Sequence, residues 1–209
     1  SGNWTQSNDD SYTGTGSIVF SGGTHEIQGN GTNTVIFQNL TVAASTTLNI
    51  SNAASVQING HVLLQNDATF NPGTLTCTVG GNWTEEGTGT LAGTSTIRFP
   101  AGTHEITTTT PGSTLDFHNI TAGAGAILRF DETETTNVAG NFILLGNCDN
   151  PVNINSVTGG NQADVAMVTT TTWDGVNITD INETGAGTIS VNRGRVTDCT
   201  NIADAAGTC

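Results

Sequence analysis

The sequence predicts an all-β chain wound into stacked coils of strand, and three observations carry that prediction. Composition is the first: Thr, Asn, Gly, Val and Ile dominate, lysine is absent and methionine occurs once, which is strand-and-turn usage rather than helix usage. Short apolar-x-apolar pairs then recur about every 20 residues, with Gly and Asn turns between them. Finally, the chain repeats itself at an offset of about 80 residues. A length of 209 residues suits one domain of ordinary size or one elongated stack, and suffices for a buried core.

Taken in order, the strands announce themselves as Ile18/Phe20, Val35/Phe37, Val56/Ile58 and Leu75/Cys77. The series continues with Ile97/Phe99, Leu115/Phe117, Val152/Ile154, Val176/Ile178 and Ile189/Val191. Alternation with period two makes each a half-buried strand, and the even spacing of successive pairs from Ile18 to Ile97 sets a regular beat through the first copy. That is the beat of a β-solenoid coil, and it places Phe20, Phe37, Ile58, Cys77, Phe99 and Phe117 on one inward ladder. A β-sandwich also alternates, but it gives no reason for a repeat of about 80 residues inside one small domain.

The repeat itself is explicit. Gly-Asn-Trp-Thr at 2 to 5 returns at 81 to 84, and Gly-Thr-His-Glu-Ile at 23 to 27 returns at 102 to 106. Phe37-Gln-Asn-Leu-Thr41 matches Phe117-His-Asn-Ile-Thr121, and Gly60-His-Val-Leu-Leu64 matches Gly140-Asn-Phe-Ile-Leu144. The expected organisation is therefore one solenoid over 1–209, with a first copy at 2–80, a second at 81–159 and a degenerate third at 160–209. Each copy is expected to span about four coils, giving nine to ten coils and an axial length of roughly 45 Å in all.

These motifs resemble repeats of large secreted and surface-attached bacterial proteins that form right-handed parallel β-helices, and the likeness covers about residues 1 to 160. The resemblance implies an exported scaffold or adhesin-like module, usually without an enzyme activity. The segment after 160 departs from the pattern.

Charge narrows the partners. Eighteen acidic residues oppose four arginines (Arg98, Arg129, Arg193 and Arg195), for a net charge of −14 and a pI near 4.1. Such a surface repels nucleic-acid backbones and anionic lipid head groups, so neither nucleic acid nor membrane insertion is expected. No apolar run approaches the roughly 20 residues that span a bilayer. The first residues lack a signal-peptide pattern and an initiator Met, which fits a leader already removed or a piece of a larger chain. Low charge, abundant Thr, Asn and Gly, and four cysteines place the chain outside the cell or on its surface. Eight Asn-x-Ser/Thr sequons permit glycosylation, at Asn3, Asn30, Asn39, Asn49, Asn82, Asn119, Asn177 and Asn182, although chance alone accounts for most of them.

Candidates for chemistry are few, and no catalytic residue or cofactor is expected. His25/Glu26 and His104/Glu105 are repeat twins; adjacent strand residues point to opposite faces, so neither pair converges on a metal. Asp131, Glu132 and Glu134 form a weak candidate for Ca²⁺, beside the simpler reading of a solvated acidic turn, which also suits Asp9/Asp10 and Glu85/Glu86. Threonine runs at 107–110 and 169–172 are clustered rather than arrayed, which is strand and turn filler rather than an ice-binding face. Among the cysteines, Cys199 and Cys209 are expected to pair across a short terminal loop, Cys77 to be a buried small hydrophobe, and Cys148 to be free or paired between molecules. A Cys77–Cys148 bond would contradict a solenoid, because about three and a half coils separate the two.

The expected function is an extracellular structural protein, not an enzyme: a subunit that stacks head to tail into a fibre or stalk by strand-edge pairing. The alternative is a glycan-binding or glycan-cleaving β-helix domain of a larger surface protein, with Trp83, Trp173 or Tyr12 stacking on sugars and Trp173 favoured.

Overall fold

The structure, a computed structural model, describes residues 4–5 and 16–204. The first copy contributes β1 (Trp4–Thr5), β2 (Ser17–Phe20), β3 (Gly23–Gln28), β4 (Thr34–Phe37), β5 (Asn39–Val42), β6 (Thr46–Ser51), β7 (Ser55–Ile58), β8 (Val62–Leu64), β9 (Thr69–Asn71) and β10 (Thr76–Val79). The second contributes β11 (Trp83–Glu85), β12 (Thr90–Leu91), β13 (Thr96–Phe99), β14 (Gly102–Thr108), β15 (Thr114–Phe117), β16 (Asn119–Ala122), β17 (Ala126–Phe130), β18 (Thr135–Val138), β19 (Phe142–Leu144) and β20 (Val152–Ser156). The remainder forms β21 (Ala163–Met167), β22 (Thr171–Thr179), β23 (Ile181–Glu183), β24 (Ile189–Thr197) and β25 (Ile202–Asp204).

Parallel strands stack as a β-solenoid of about eight turns with about 22 residues per turn, fewer and longer turns than the sequence predicts. Three faces enclose the core. One carries β1-β3-β6-β9-β12 and, after an interruption in the ladder, β15-β18-β21-β23. The next carries β4-β7-β10-β13-β16-β19, and the last runs unbroken through nine strands from β2 to β24, with β25 pairing round the corner on the first half of β24. Small turns at the corners and a near-constant number of residues per turn put like side chains on top of one another, so apolar area is removed from water continuously along the axis.

The repeat does not fill a whole number of turns. Eleven strands separate β3 from its twin β14, and at three strands per turn that is three and two-thirds turns. Twins are therefore rotated by a third of a turn: β3 lies on the first face and β14 on the third, β4 on the second and β15 on the first. This corrects the expected single ladder. Phe20 sits on the third face, Phe37, Ile58, Cys77 and Phe99 on the second, and Phe117 on the first. Within the second face Phe37 stacks on Ile58 and Ile58 on Val79, while Cys77 lies one position away between Val56 and Ile97. All six still contribute to the core, with Phe20 only partly buried. They meet across the interior: Phe20 approaches Phe37 edge-on at 6.3 Å, and Phe117 approaches Trp83 at 5.4 Å.

The repeat motifs prove to be joints between turns. Asn39 Oδ1 accepts the backbone N–H of His61 at 2.8 Å, and its twin Asn119 accepts that of Asn141 at the same distance. Beneath each sits a glycine that admits no side chain, since a Cβ on Gly60 would lie 2.2 Å from Asn39 Oδ1 and one on Gly140 2.4 Å from Asn119 Oδ1. His104 is a strap: its buried ring lies 2.9 Å from both the Gly81 and Pro100 carbonyl oxygens and packs on Phe99. Its twin His25 repeats the contact at the Ser21 carbonyl, 3.1 Å away, and packs on Phe20.

Beyond residue 160 the turn shortens, as the pairings of Ala163 with Ile181 and of Val176 with Gly194 show. β22 and β24 each run nine residues and bend around a corner in place of two strands and a turn. Gly175 and Gly194 make the bend, and a Cβ on Gly194 would fall 1.7 Å from the Val176 carbonyl oxygen. The third copy is degenerate because its corners have merged.

Candidate functional site

The outward row of the first face becomes a groove where the ladder breaks. β12 and β15 are neighbours in space without pairing, and the turns around them enclose a cleft of about 350 Å³ along residues 87–90, 112–114 and Asp116. Two further cavities continue it, about 180 Å³ beside Ser113, Glu134 and Asp164, and about 300 Å³ beside Val138, Ala166 and Met167. Register aligns the lining: Asp116, Asn137 and Ala166 form one column across β15, β18 and β21, and Thr114, Thr135, Asp164 and Asn182 form the next. Side-chain amides brace the acids, with Asn137 Nδ2 donating to Asp116 at 2.6 Å and Asn182 Nδ2 to Asp164 at 2.8 Å.

Under this surface lies Glu85. It is buried with Trp83 on the inward side of β11, and Trp83 Nε1 donates to its carboxylate at 2.9 Å. Burial pushes its pKa up to about 8, the indole hydrogen bond opposes the rise, and the Asp116 charge adds to it. The carboxyl therefore rests protonated at neutral pH, facing the core rather than the groove. Glu183 is likewise buried and serves backbone, accepting the N–H groups of Met167 at 3.2 Å and Gly185 at 2.9 Å.

The residues singled out from sequence scatter. Asp131 accepts the Thr133 amide and hydroxyl in its own turn, Glu132 accepts the Thr158 amide, and Glu134 is buried and accepts the Ser113 hydroxyl at 3.1 Å. The Thr133 hydroxyl also reaches Glu134 at 3.3 Å, and among the described residues no group of three potential ligands converges on a metal position. Glu26 accepts the Ser51 hydroxyl at 2.7 Å, and Glu105 pairs with Arg129 at 2.9 Å. Glu86 accepts from Gln65, whereas Asp9 and Asp10 lie outside the described residues. The threonine runs serve turns and joints, as when Thr110 Oγ1 accepts the Gly87 amide at 2.9 Å.

Two expectations are corrected. Trp173 offers no platform for sugar: it is buried, its Nε1 donates to the Phe142 carbonyl at 2.9 Å, and its ring packs edge-on against Phe142. Trp83 is buried too, and Tyr12 lies outside the described residues. Cys199, expected to pair with Cys209, carries a free, half-buried thiol that donates to the Thr197 carbonyl; Cys209 lies outside the described residues. Cys77 is also a free thiol, so it is not bonded to Cys148, in keeping with a solenoid.

The sequons are mostly committed to structure. Asn39, Asn82 and Asn119 clamp the following turn, and Asn49, Asn177 and Asn182 join side-chain ladders with Asn71, Asn153 and Asp164. Asn30 is exposed in a turn closed by Thr32 and Asn33, and Asn3 lies outside the described residues. Sequence reading missed the groove and Asp116. A signal existed: at the twin positions Val35-Ile36-Phe37 and Leu115-Asp116-Phe117 only the outward residue changes character, from apolar to acidic.

Family models, curated proteins and solved structures offer no match to this chain.

Proposed function

We propose that the chain is an extracellular structural module, a rigid acidic rod that stacks end to end by strand-edge pairing into a fibre or stalk. The observation that carries this reading is the ladder of the third face. It runs through nine parallel strands, and among the described residues its terminal members, β2 and the second half of β24, each pair on one side only, with β5 and β22. A parallel edge of this kind is a template for another strand. The internal joints add support, because β1 pairs with β3 in the register that β11 adopts on β14, Trp4 opposite Ile27 and Trp83 opposite Ile106. Coils of this sequence thus accept one another through a repeated geometry. Secretion fits the low charge, and the resemblance of the repeats to surface-attached bacterial proteins points the same way.

Sedimentation velocity and negative-stain electron microscopy across a concentration series test the reading. The expected product is a fibre with an axial repeat of about 38 Å, from about eight turns at a strand spacing of about 4.8 Å. Val19→Lys places a charge at an exposed position on the edge strand β2 and is expected to return the protein to monomer. Isolated particles at every concentration would refute the assembly.

A further inference from the structure

The groove on the first face has a composition that specifies an occupant. Its walls near β18 and β21 are apolar: the side chains of Ala139, Ala166 and Val168 border the cavity of about 300 Å³, above the buried Val138 and Met167, and Val168 is 64% exposed. At one end stands the exposed carboxylate of Asp116, shared with the adjoining cleft. Every other charged group that lines the three joined cavities is also a carboxylate, namely Glu132, Glu134 and Asp164, and no Lys, Arg or His is among the lining residues.

An apolar trough ending in an acid matches a side chain with an aliphatic stem and a cationic head. The chain is poorly able to supply one itself. It has no lysine, and of its four arginines Arg129 is paired with Glu105 and Arg193 with Asp174. Net charge of −14 draws cations toward the surface over the whole molecule, which raises the encounter rate but does not select a site. The groove supplies selection, because it combines apolar area with fixed acids braced by Asn137 and Asn182.

We infer that this groove binds a lysine- or arginine-bearing segment of a partner polypeptide, laying the aliphatic stem along Ala139, Ala166 and Val168 and the charged head on Asp116. This goes beyond end-to-end assembly and does not depend on it, since the groove lies on a side face and the measurement below is made on the Val19→Lys monomer.

The probe is an unstructured peptide of alternating lysine and alanine with blocked termini, titrated by isothermal calorimetry at low and physiological salt. A second peptide with every lysine acetylated keeps the stem and removes the charge. Saturable binding of the lysine peptide is expected, with the acetylated peptide at least about tenfold weaker. Asp116→Asn and Ala166→Phe, the latter filling the trough, are each expected to weaken binding about fivefold or more. Asp149→Asn, an exposed acid on the loop after β19, is expected to change it less than twofold. Ala139→Lys alters an exposed rim position, so folding is not at issue, and it is expected to abolish binding.

Equal losses in Asp116→Asn and Asp149→Asn would reduce the interaction to diffuse charge attraction and overturn the site. Undiminished binding in Ala139→Lys, equal binding of the acetylated peptide, or preferential binding of a neutral oligosaccharide in the same groove would overturn it as well.

Discussion

Glu85 ties the stability of the molecule to pH through a single carboxyl group. Its folded value of about 8 stands above its ordinary 4.5, so between those limits the native state holds a proton that the unfolded chain has released. Stability is therefore complete below about pH 4.5 for this group and declines as pH rises toward about 8, by a total of a few kcal/mol. Glu85→Gln keeps the acceptor for Trp83 Nε1 and removes the ionisation. In urea titrations at several pH values the variant should lose most of that decline and exceed the parent in stability near pH 8. An unchanged slope would mean that Glu85 is not the group responsible. Cys77 is a second case in which burial alone sets reactivity, for the desolvated thiol is held far above the usual thiol range. Cys199 is only half-buried, and the same desolvation raises its thiol as well. Alkylation followed by peptide mass spectrometry should label Cys199 ahead of Cys77, with Cys77 reacting only once denaturant unfolds the stack.

Among the elements, a joint of asparagine over glycine fastens one turn to the next at twin positions of the two copies, and the joint explains why the motif recurs. Asn119 and Gly140 form one such pair. Gly140→Ala would drive a Cβ to within 2.4 Å of Asn119 Oδ1 and 2.8 Å of the His118 carbonyl oxygen. Because backbone cannot yield there, the expected loss is about 2 to 4 kcal/mol in equilibrium unfolding. Asn119→Ala leaves the Asn141 amide without its acceptor and should cost less, about 1 to 3 kcal/mol. If Gly140→Ala proved neutral, the close approach would not be a constraint. The strands themselves were legible in advance: the pairs Val35/Phe37, Val56/Ile58 and Ile97/Phe99 all lie on buried positions of β4, β7 and β13. Strand alternation is local, and a period of two survives in any short window. The merged corners of β22 and β24 were not legible, because a bend at Gly175 or Gly194 is decided by which backbone lies opposite.

For the whole molecule, the controlling quantities are the net charge of −14 and the pitch of the repeat. With ion pairs confined to Arg129–Glu105 and Arg193–Asp174 among the described residues, acidic self-repulsion goes largely uncompensated. Screening by salt should stabilise the fold, raising the melting temperature by at least about 3 °C between about 0.02 and 0.5 M sodium chloride. A melting point that falls with salt would show that the two ion pairs outweigh the repulsion. The class of fold, the strand beat, the repeat and the acidic surface were all present in the linear chain, since composition, alternation, self-similarity and charge are properties that no partner segment alters. Which face each strand occupies was settled only by the winding of the coil. A repeat of three and two-thirds turns rotates twin motifs by a third of a turn, so Phe20 and Phe99 part company and Ile36 and Asp116 look out from different sides. The groove arises from the same cause. It exists because β15, arriving on the first face above β12, does not complete the ladder, and pairing between segments a full turn apart is not written in either one alone.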